Sequence, residues 1–440
     1  MTTPGGTEQA RSGGPARAAG PRLLAPLRYR DFRILWLGMS CSLLGDGVLL
    51  VALAWQVYSL TGSPGGMAAV SVALAVPQVL LLLLGGVVSD RADRRLIMLV
   101  SELVRGACLV VMAALAFAGA VRLGHLIVLA AVYGSASGFF PPAYESTLPN
   151  LVPARELVAT NALDQLVRPA AVQLGGTLLG GVLVAAGGAG TAFAFDAFTF
   201  AVSAGCLLAL HPLPPRQETG PAGRERPSRW ADLRVGADFV RRNAWLWATL
   251  VASALAYLLF LGPTEVLLPY VVKQLLHGSA TDYALVLASG GVSAVLAAVL
   301  VGRRGLPRRF VTFMYCTWTL ATLAVAGYGL ATRIWQLAVA SAMVNGLETG
   351  GLVAWATMKQ RLVPGALLGR VSSVDWFVTI SLIPVSYALT APVAAAIGPR
   401  TTLIGAGVIG AAATLVFLYV PGVRDAERVP AGGPKARAAG

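Results

Sequence analysis

Apolar runs of about twenty residues, divided by short charged connections, constrain this chain more than any other feature of its sequence. The turn Gly85-Gly86-Val87-Val88-Ser89-Asp90-Arg91-Ala92-Asp93-Arg94-Arg95 shows the pattern at its sharpest. Before it, residues 67–88 carry no charge; after it, residues 96–121 carry only Glu102 and Arg105. A helix needs a run of that length to cross the hydrocarbon core of a bilayer. No water is available there to bond free backbone groups, so a helix is the form such runs take. The expected fold class is therefore an all-α polytopic membrane protein.

The runs place spans near 32–60, 66–88, 96–119, 124–144, 164–187 and 189–210, then near 244–272, 282–302, 310–330, 333–357, 371–397 and 400–420. This divides the chain into a six-helix bundle over 28–210, a polar linker over 211–243 and a second six-helix bundle over 244–420. Within the linker, 230–242 has the apolar spacing of an amphipathic helix lying on a membrane surface. Residues 1–27 and 421–440 are expected as disordered tails, and 1–26 lack the apolar stretch of a cleavable signal.

The net charge of +14 would suggest nucleic acid as partner in a soluble protein. Here topology accounts for it. Lys and Arg number 28 in the connections on the side of both termini and 4 on the other, with Arg105 and Arg168 inside or at the ends of spans. That asymmetry puts both termini in the cytoplasm and makes the bilayer the partner. Arginine outnumbers lysine about tenfold, the mark of GC-rich codons, so a bacterial inner membrane is the expected location. Cys41, Cys108, Cys206 and Cys316 form no CxxC pair, so neither a disulfide framework nor a metal site is expected, and no cofactor motif is present.

The two sets of six share a weak repeat at an offset of 211 residues. Leu151-Val152-Pro153 ahead of Asp164 matches Leu362-Val363-Pro364 ahead of Asp375, and Trp36 and Ser42 match Trp247 and Ser253. Parallel repeats of this kind are one way in which secondary transporters are built.

In the charged turn, Gly86 stands four residues before Asp90-Arg91, and Arg94-Arg95 follow. With these residues the chain resembles the major facilitator superfamily, whose signature loop between helices 2 and 3 has that pattern; the resemblance runs over residues 28–420. Asp93 occupies the place of the family's usual second glycine. Within the superfamily the chain is most similar to the bacterial macrolide-efflux and siderophore-exporter branch, through Tyr29-Arg30-Asp31-Phe32-Arg33, Gly45-Asp46, Leu148-Pro149-Asn150-Leu151-Val152-Pro153 and Asn161-Ala162-Leu163. The resemblance implies twelve helices in two pseudo-symmetric six-helix halves. It also implies a gate in which Asp90 holds the start of helix 11 around Gly369-Arg370-Val371. The free N–H groups of a helix start favour a carboxylate there. Glu145, at the inner end of helix 4, is placed to pair with Arg91 or Arg94.

Ionisable groups inside spans are costly and need a reason. Asp46 lies 14 residues into helix 1, about 21 Å along its axis, with Gly45 and Gly47 leaving room beside it. It is the first candidate for proton coupling or substrate contact. Glu265, between Pro263 and Pro269, is the second. Asp196 and Glu348 are candidates to line the path, and Trp55 and Trp376 to stack against a substrate. Glu102 and Arg105, spaced i,i+3, are expected to neutralise each other. Asp164 and Asp375 are expected in the first turns of helices 5 and 11, and Tyr58 and Trp335 as interface anchors near outer ends.

These residues describe a secondary active transporter working as a monomer, not an enzyme. No GxxxxGK[ST] phosphate loop is present to support an ATP-driven pump. The spans hold acids but few amides and one clearly intramembrane cation, Arg105. That balance favours export of a small amphiphilic molecule, such as a drug, macrolide-like natural product or siderophore, by proton antiport and alternating access. The alternative is a proton symporter importing a small polar nutrient.

Overall fold

The computed structural model describes residues 24–89, 93–153, 156–211 and 237–428, and among these no strand occurs. Eleven helices are long and apolar enough to cross a membrane. Ten correspond to single crossings. They are α1 (Arg30–Thr61), α2 (Pro64–Ser89), α3 (Arg94–Phe117), α4 (Leu123–Leu151), and, after the next long helix, α7 (Ala244–Leu275), α8 (Ala280–Arg304), α9 (Phe310–Leu330), α10 (Ile334–Leu362), α11 (Arg370–Ile397) and α12 (Pro399–Phe417). The eleventh, Ala159–Leu208, has 50 residues. Straight, it would span about 75 Å, more than twice a hydrocarbon core. It is two crossings, because at Gly188 the backbone swings to φ 76°, ψ 178°, a conformation open to glycine and strained for other residues. Thus α5 (159–187) and α6 (189–208) form a hairpin with no loop, and the crossings number twelve.

Several spans are irregular where proline interrupts the hydrogen-bond ladder. α4 breaks around Gly138 ahead of Pro141-Pro142, α5 contains a π-helical stretch over Pro169–Gly176, and α7 another over Pro263–Leu267. The tail expected to be disordered from residue 421 is ordered as far as Arg428. Arg424–Arg428 forms a 3-10 turn that buries Val423 and Ala426. Glu427 accepts the Thr312 backbone N–H (2.6 Å) in the first turn of α9, where a carboxylate meets unpaired donors. At the other terminus Ala25–Arg28 forms a similar turn with Pro26 buried. Of the expected linker helix, 237–242 is helical; 230–236 lies outside the described residues.

In the first half, α1 packs against both α5 and α6, and glycine makes the crossing possible. A Cβ on Gly176 would lie 2.3 Å from the Leu44 carbonyl oxygen and 2.7 Å from the Gly47 Cα. Both are backbone atoms and cannot yield locally. One on Gly175 would meet the Leu44 side chain at 3.0 Å. Gly176→Ala should therefore lower stability by about 1–3 kcal/mol through overpacking, and Gly175→Ala much less. Melting temperatures of the two purified variants check this.

The two halves meet through α1 with α7, α2 with α11, and α5 with α8. The extensive contacts lie toward the end opposite the termini, here called the far end. It is the stretch Ile383–Ile397 of α11 that packs on α2, and a Cβ on Gly181 of α5 would meet Ala284 of α8 at 2.4 Å.

Candidate functional site

The first half gathers six ionisable or hydroxyl-bearing side chains from four helices. Asp46 projects from α1 between Gly45 and Gly47. A Cβ at Gly45 would lie 2.0 Å from Asp196 Oδ1 and 2.2 Å from Thr199 Oγ1, so glycine there lets α6 bring Asp196 against α1. Thr199 Oγ1 donates to Asp196 Oδ1 (3.1 Å), and Tyr133 Oη of α4 donates to Asp46 Oδ1 (2.5 Å). On α3, Arg105 Nη2 and Glu102 Oε1 pair at 2.6 Å, as their spacing led one to expect. The guanidinium is also packed against the rings of Phe200 (4.5 Å to the centroid) and Phe140 (5.1 Å).

This cluster is dry. Asp196, Glu102 and Arg105 are 0, 1 and 6 % exposed, and Asp196 Oδ2, Glu102 Oε2 and Arg105 Nε have no hydrogen-bond partner among the described residues. Asp46 is only partly covered. Asp46, Glu102 and Asp196 all lie within electrostatic reach of Arg105. Three carboxyls therefore share one guanidinium, and buried charge is expensive unless matched. The pair on α3 balances itself. Asp46 and Asp196 are the two carboxyls beyond that pair.

The second half contains a reciprocal pair. Tyr257 Oη of α7 donates to Glu348 Oε1 of α10 at 3.3 Å. Tyr257 stands at the 211-residue offset from Asp46, and Glu348 lies one helical turn beyond Val344, the counterpart of Tyr133. The same helix pair is tied by an acid and a tyrosine in each half, with the roles exchanged. Beside the second pair is a cavity of about 40 Å³ whose lining includes Ser253, Phe260, Trp318 and Thr322, enough for a few waters. Glu265 joins neither group. It sits in the π-helical stretch of α7 at the seam between halves, within electrostatic reach of Tyr283 and Tyr387. Of the four acids singled out in the sequence, Asp46 and Asp196 come together, while Glu265 and Glu348 stand apart.

The tryptophans fall elsewhere. Trp55 lies at the far-end seam, where Lys273 Nζ donates to its carbonyl oxygen (2.8 Å) and sits 4.2 Å from its ring centroid. Lys273 also bonds Ser59 Oγ, Tyr58 Oη donates to the Val266 carbonyl, and Gln274 Nε2 donates to the Tyr58 carbonyl (3.3 Å). Tyr58, expected as an interface anchor, is 1 % exposed inside this seam. Trp376 is 64 % exposed on α11. Its neighbour Asp375 faces α10, and the next residue on a helix points about 100° away. Lys273→Met removes a charged donor from the only-partly apolar seam. The far end should then open more often, labelling a Val57→Cys reporter about tenfold faster with an impermeant maleimide; an unchanged rate would mean that Lys273 latches nothing.

Of the charged turn, Asp90 and Arg91 lie outside the described residues, and Gly86 is within α2. Arg94 Nη1 donates to the Ser146 carbonyl (2.9 Å) of α4. Arg95 donates to the carbonyls of Leu207 and Leu208 (2.7 Å each) at the end of α6, where cations suit the free carbonyls. Glu145 is exposed on α4 within electrostatic reach of Arg168, and Arg370 begins α11. Asp164 and Asp375 are not in first turns, because the chain is already helical from Leu157 and Gly365, just ahead of the spans α5 and α11. Asp164 accepts from Tyr144 Oη and Asp375 from Trp355 Nε1, each at 3.0 Å, and Lys359 also binds Asp375. Tyr144 and Trp355 are themselves 211 residues apart, so the repeat extends to the partners. Tyr133, Thr199 and Phe200 carry no charge pattern that would have singled them out.

A family model described as "Transmembrane secretion effector" matches residues 22–431. The chain is 28 % identical over 355 residues to the enterobactin exporter EntS of Citrobacter koseri, covering 78 % of this chain and 80 % of that protein. It is 26 % identical over 291 residues to the MFS-type transporter YfiS of Bacillus subtilis, covering 66 % and 67 %. Among solved structures, the nucleoside transporter NupG superposes with a TM-score of 0.69 at 12 % identity, covering 88 % of this chain and 98 % of that one. An inward-facing, unoccupied bacterial homologue of the lysosomal transporter spinster gives 0.65 at 14 %, covering 92 % and 98 %.

Proposed function

The chain belongs to the transmembrane secretion effector family of major facilitator transporters, and from that premise we propose that it exports a small amphiphilic molecule by proton-coupled antiport. The observation that carries this reading is the buried group of three carboxyls around one guanidinium, with Asp46 its least covered member. Asp46 and Asp196 take up protons from outside and release them to the cytoplasm as the halves rock. The Lys and Arg bias supports cytoplasmic termini, which makes the far end periplasmic. Close inter-half packing at that end supports a state open to the cytoplasm, where an exporter collects its cargo. The exporter named among the relatives moves a siderophore, so a siderophore or similarly amphiphilic natural product is the first cargo class to try. The protein works as a monomer. The Lys273 and Tyr58 contacts close the outer gate, and Asp90 holds the start of α11 near Arg370 when the inner gate shuts.

Everted membrane vesicles containing the protein should accumulate enterobactin or a macrolide when respiring, and lose that accumulation on addition of an uncoupler. Accumulation that survives the uncoupler would sink proton coupling.

A further inference from the structure

On the outer flank of the second half, a groove of about 440 Å³ runs between the far halves of α9 and α10. Its floor is made of small residues, Ala324, Gly327 and Ala340, where the helices touch: a Cβ on Gly327 would lie 3.1 Å from that of Ala340. Its walls are the exposed side chains of Leu330, Trp335 and Met343. The groove is thus apolar along its length and closes at the far end beneath the turn between the two helices.

That turn carries charge. Gln336 Oε1 accepts from the backbone N–H groups of Thr332 (2.7 Å) and Arg333 (3.1 Å), which fixes the turn. The exposed Arg333 guanidinium makes no hydrogen bond or ion pair among the described residues. Arg400, at the start of α12, reaches over the end of α9 to the Gly329 carbonyl (3.3 Å). Lys and Arg number 4 on the far side, and these are two of them. Of the others, Lys273 is engaged in the seam. Topology selects against positive charge on this side, so the exposed Arg333 in the turn over this apolar groove, with Arg400 on the end of the same helix α9, calls for an anion held at headgroup level. Basic pockets between membrane helices suit anionic lipid headgroups.

We propose that this groove is a binding site for an anionic phospholipid of the far-side leaflet, one acyl chain lying over Ala324 and Gly327 and its phosphate paired with Arg333 beside Arg400. Trp335, 60 % exposed at the groove's mouth, packs against the glycerol region, the level at which tryptophan is favoured. The lipid fills the space between α9 and the outer half of α10, the helix that also carries Glu348.

The test is native mass spectrometry of the intact protein released from nanodiscs holding equal amounts of phosphatidylglycerol and phosphatidylcholine with the same chains. Wild type should retain phosphatidylglycerol over phosphatidylcholine by about fivefold or more, the worth of one interfacial arginine. Arg333→Gln should bring the ratio near one, and Arg333→Lys should keep most of it. Ala324→Phe, which fills the floor, should lower retention of both lipids. Equal retention by wild type, or a preference untouched in Arg333→Gln, would overturn the proposal.

Discussion

Arg105→Met is expected to lose about 3–5 kcal/mol of stability, the cost of removing one partner from a buried ion pair. A whole domain is worth only about 5–15 kcal/mol, so little folded transporter should be recovered. The reason lies in the cluster's composition. Glu102 and Asp196 are buried, and among the described residues the cation within electrostatic reach of both is this guanidinium. Methionine fills much of the same volume against Phe140 and Phe200 but leaves Glu102 Oε1 without its 2.6 Å partner. A second substitution, Glu102→Gln, should restore much of the loss, because it removes the charge that Arg105 matched. Thermal unfolding of the single and double variants in detergent measures both effects. An unchanged melting temperature in Arg105→Met would mean that the acids are balanced without it.

Asp46→Asn should abolish concentrative export while leaving the protein at normal abundance. Asparagine keeps an oxygen for the Tyr133 hydroxyl and the volume between Gly45 and Gly47, so the packing of α1 survives. What it cannot do is carry a proton. One charge crossing 100 mV supplies about 2.3 kcal/mol, or about fiftyfold accumulation. The variant should forfeit that gain yet still let cargo equilibrate down its gradient. Vesicles that accumulate cargo as well as wild type would remove Asp46 from the mechanism. Glu348→Gln provides the comparison, since it forms with Tyr257 the corresponding acid–tyrosine pair of the second half: equal losses in both variants would mean that the two halves each carry a proton.

Much of the architecture was legible because a bilayer enforces a simple rule: about twenty apolar residues in a row must become a helix. The ends of α1, α3, α8 and α12 follow directly from where charge or Gly-Pro resumes. The pairing of Glu102 with Arg105 was legible too, since i,i+3 spacing on one helix is local geometry. Convergence between helices was not. Asp46, Glu102 and Asp196 lie on three separate spans, and nothing in their spacing says that α6 comes within contact of α1; that depends on Gly45 having no side chain. The face that Trp376 presents was not legible either, because a span's sequence does not say which side meets a neighbour. Residues 421–428 misled because Val423, Ala426 and Glu427 become informative only once the first turn of α9 is beside them. The tyrosines of the two acid pairs could have been found by asking the 211-residue repeat for exchanged roles rather than identical residues.

The turn at Gly188 ties two tasks together mechanically. α5 is the helix that reaches across to α8, and α6 is the helix that buries Asp196. A loop between them would absorb a displacement of one as slack. Here the chain reverses within a single residue, so the hairpin behaves as one stiff lever. A displacement of α5 away from α8 would therefore pass through the turn to α6, and with it to the surroundings of Asp196.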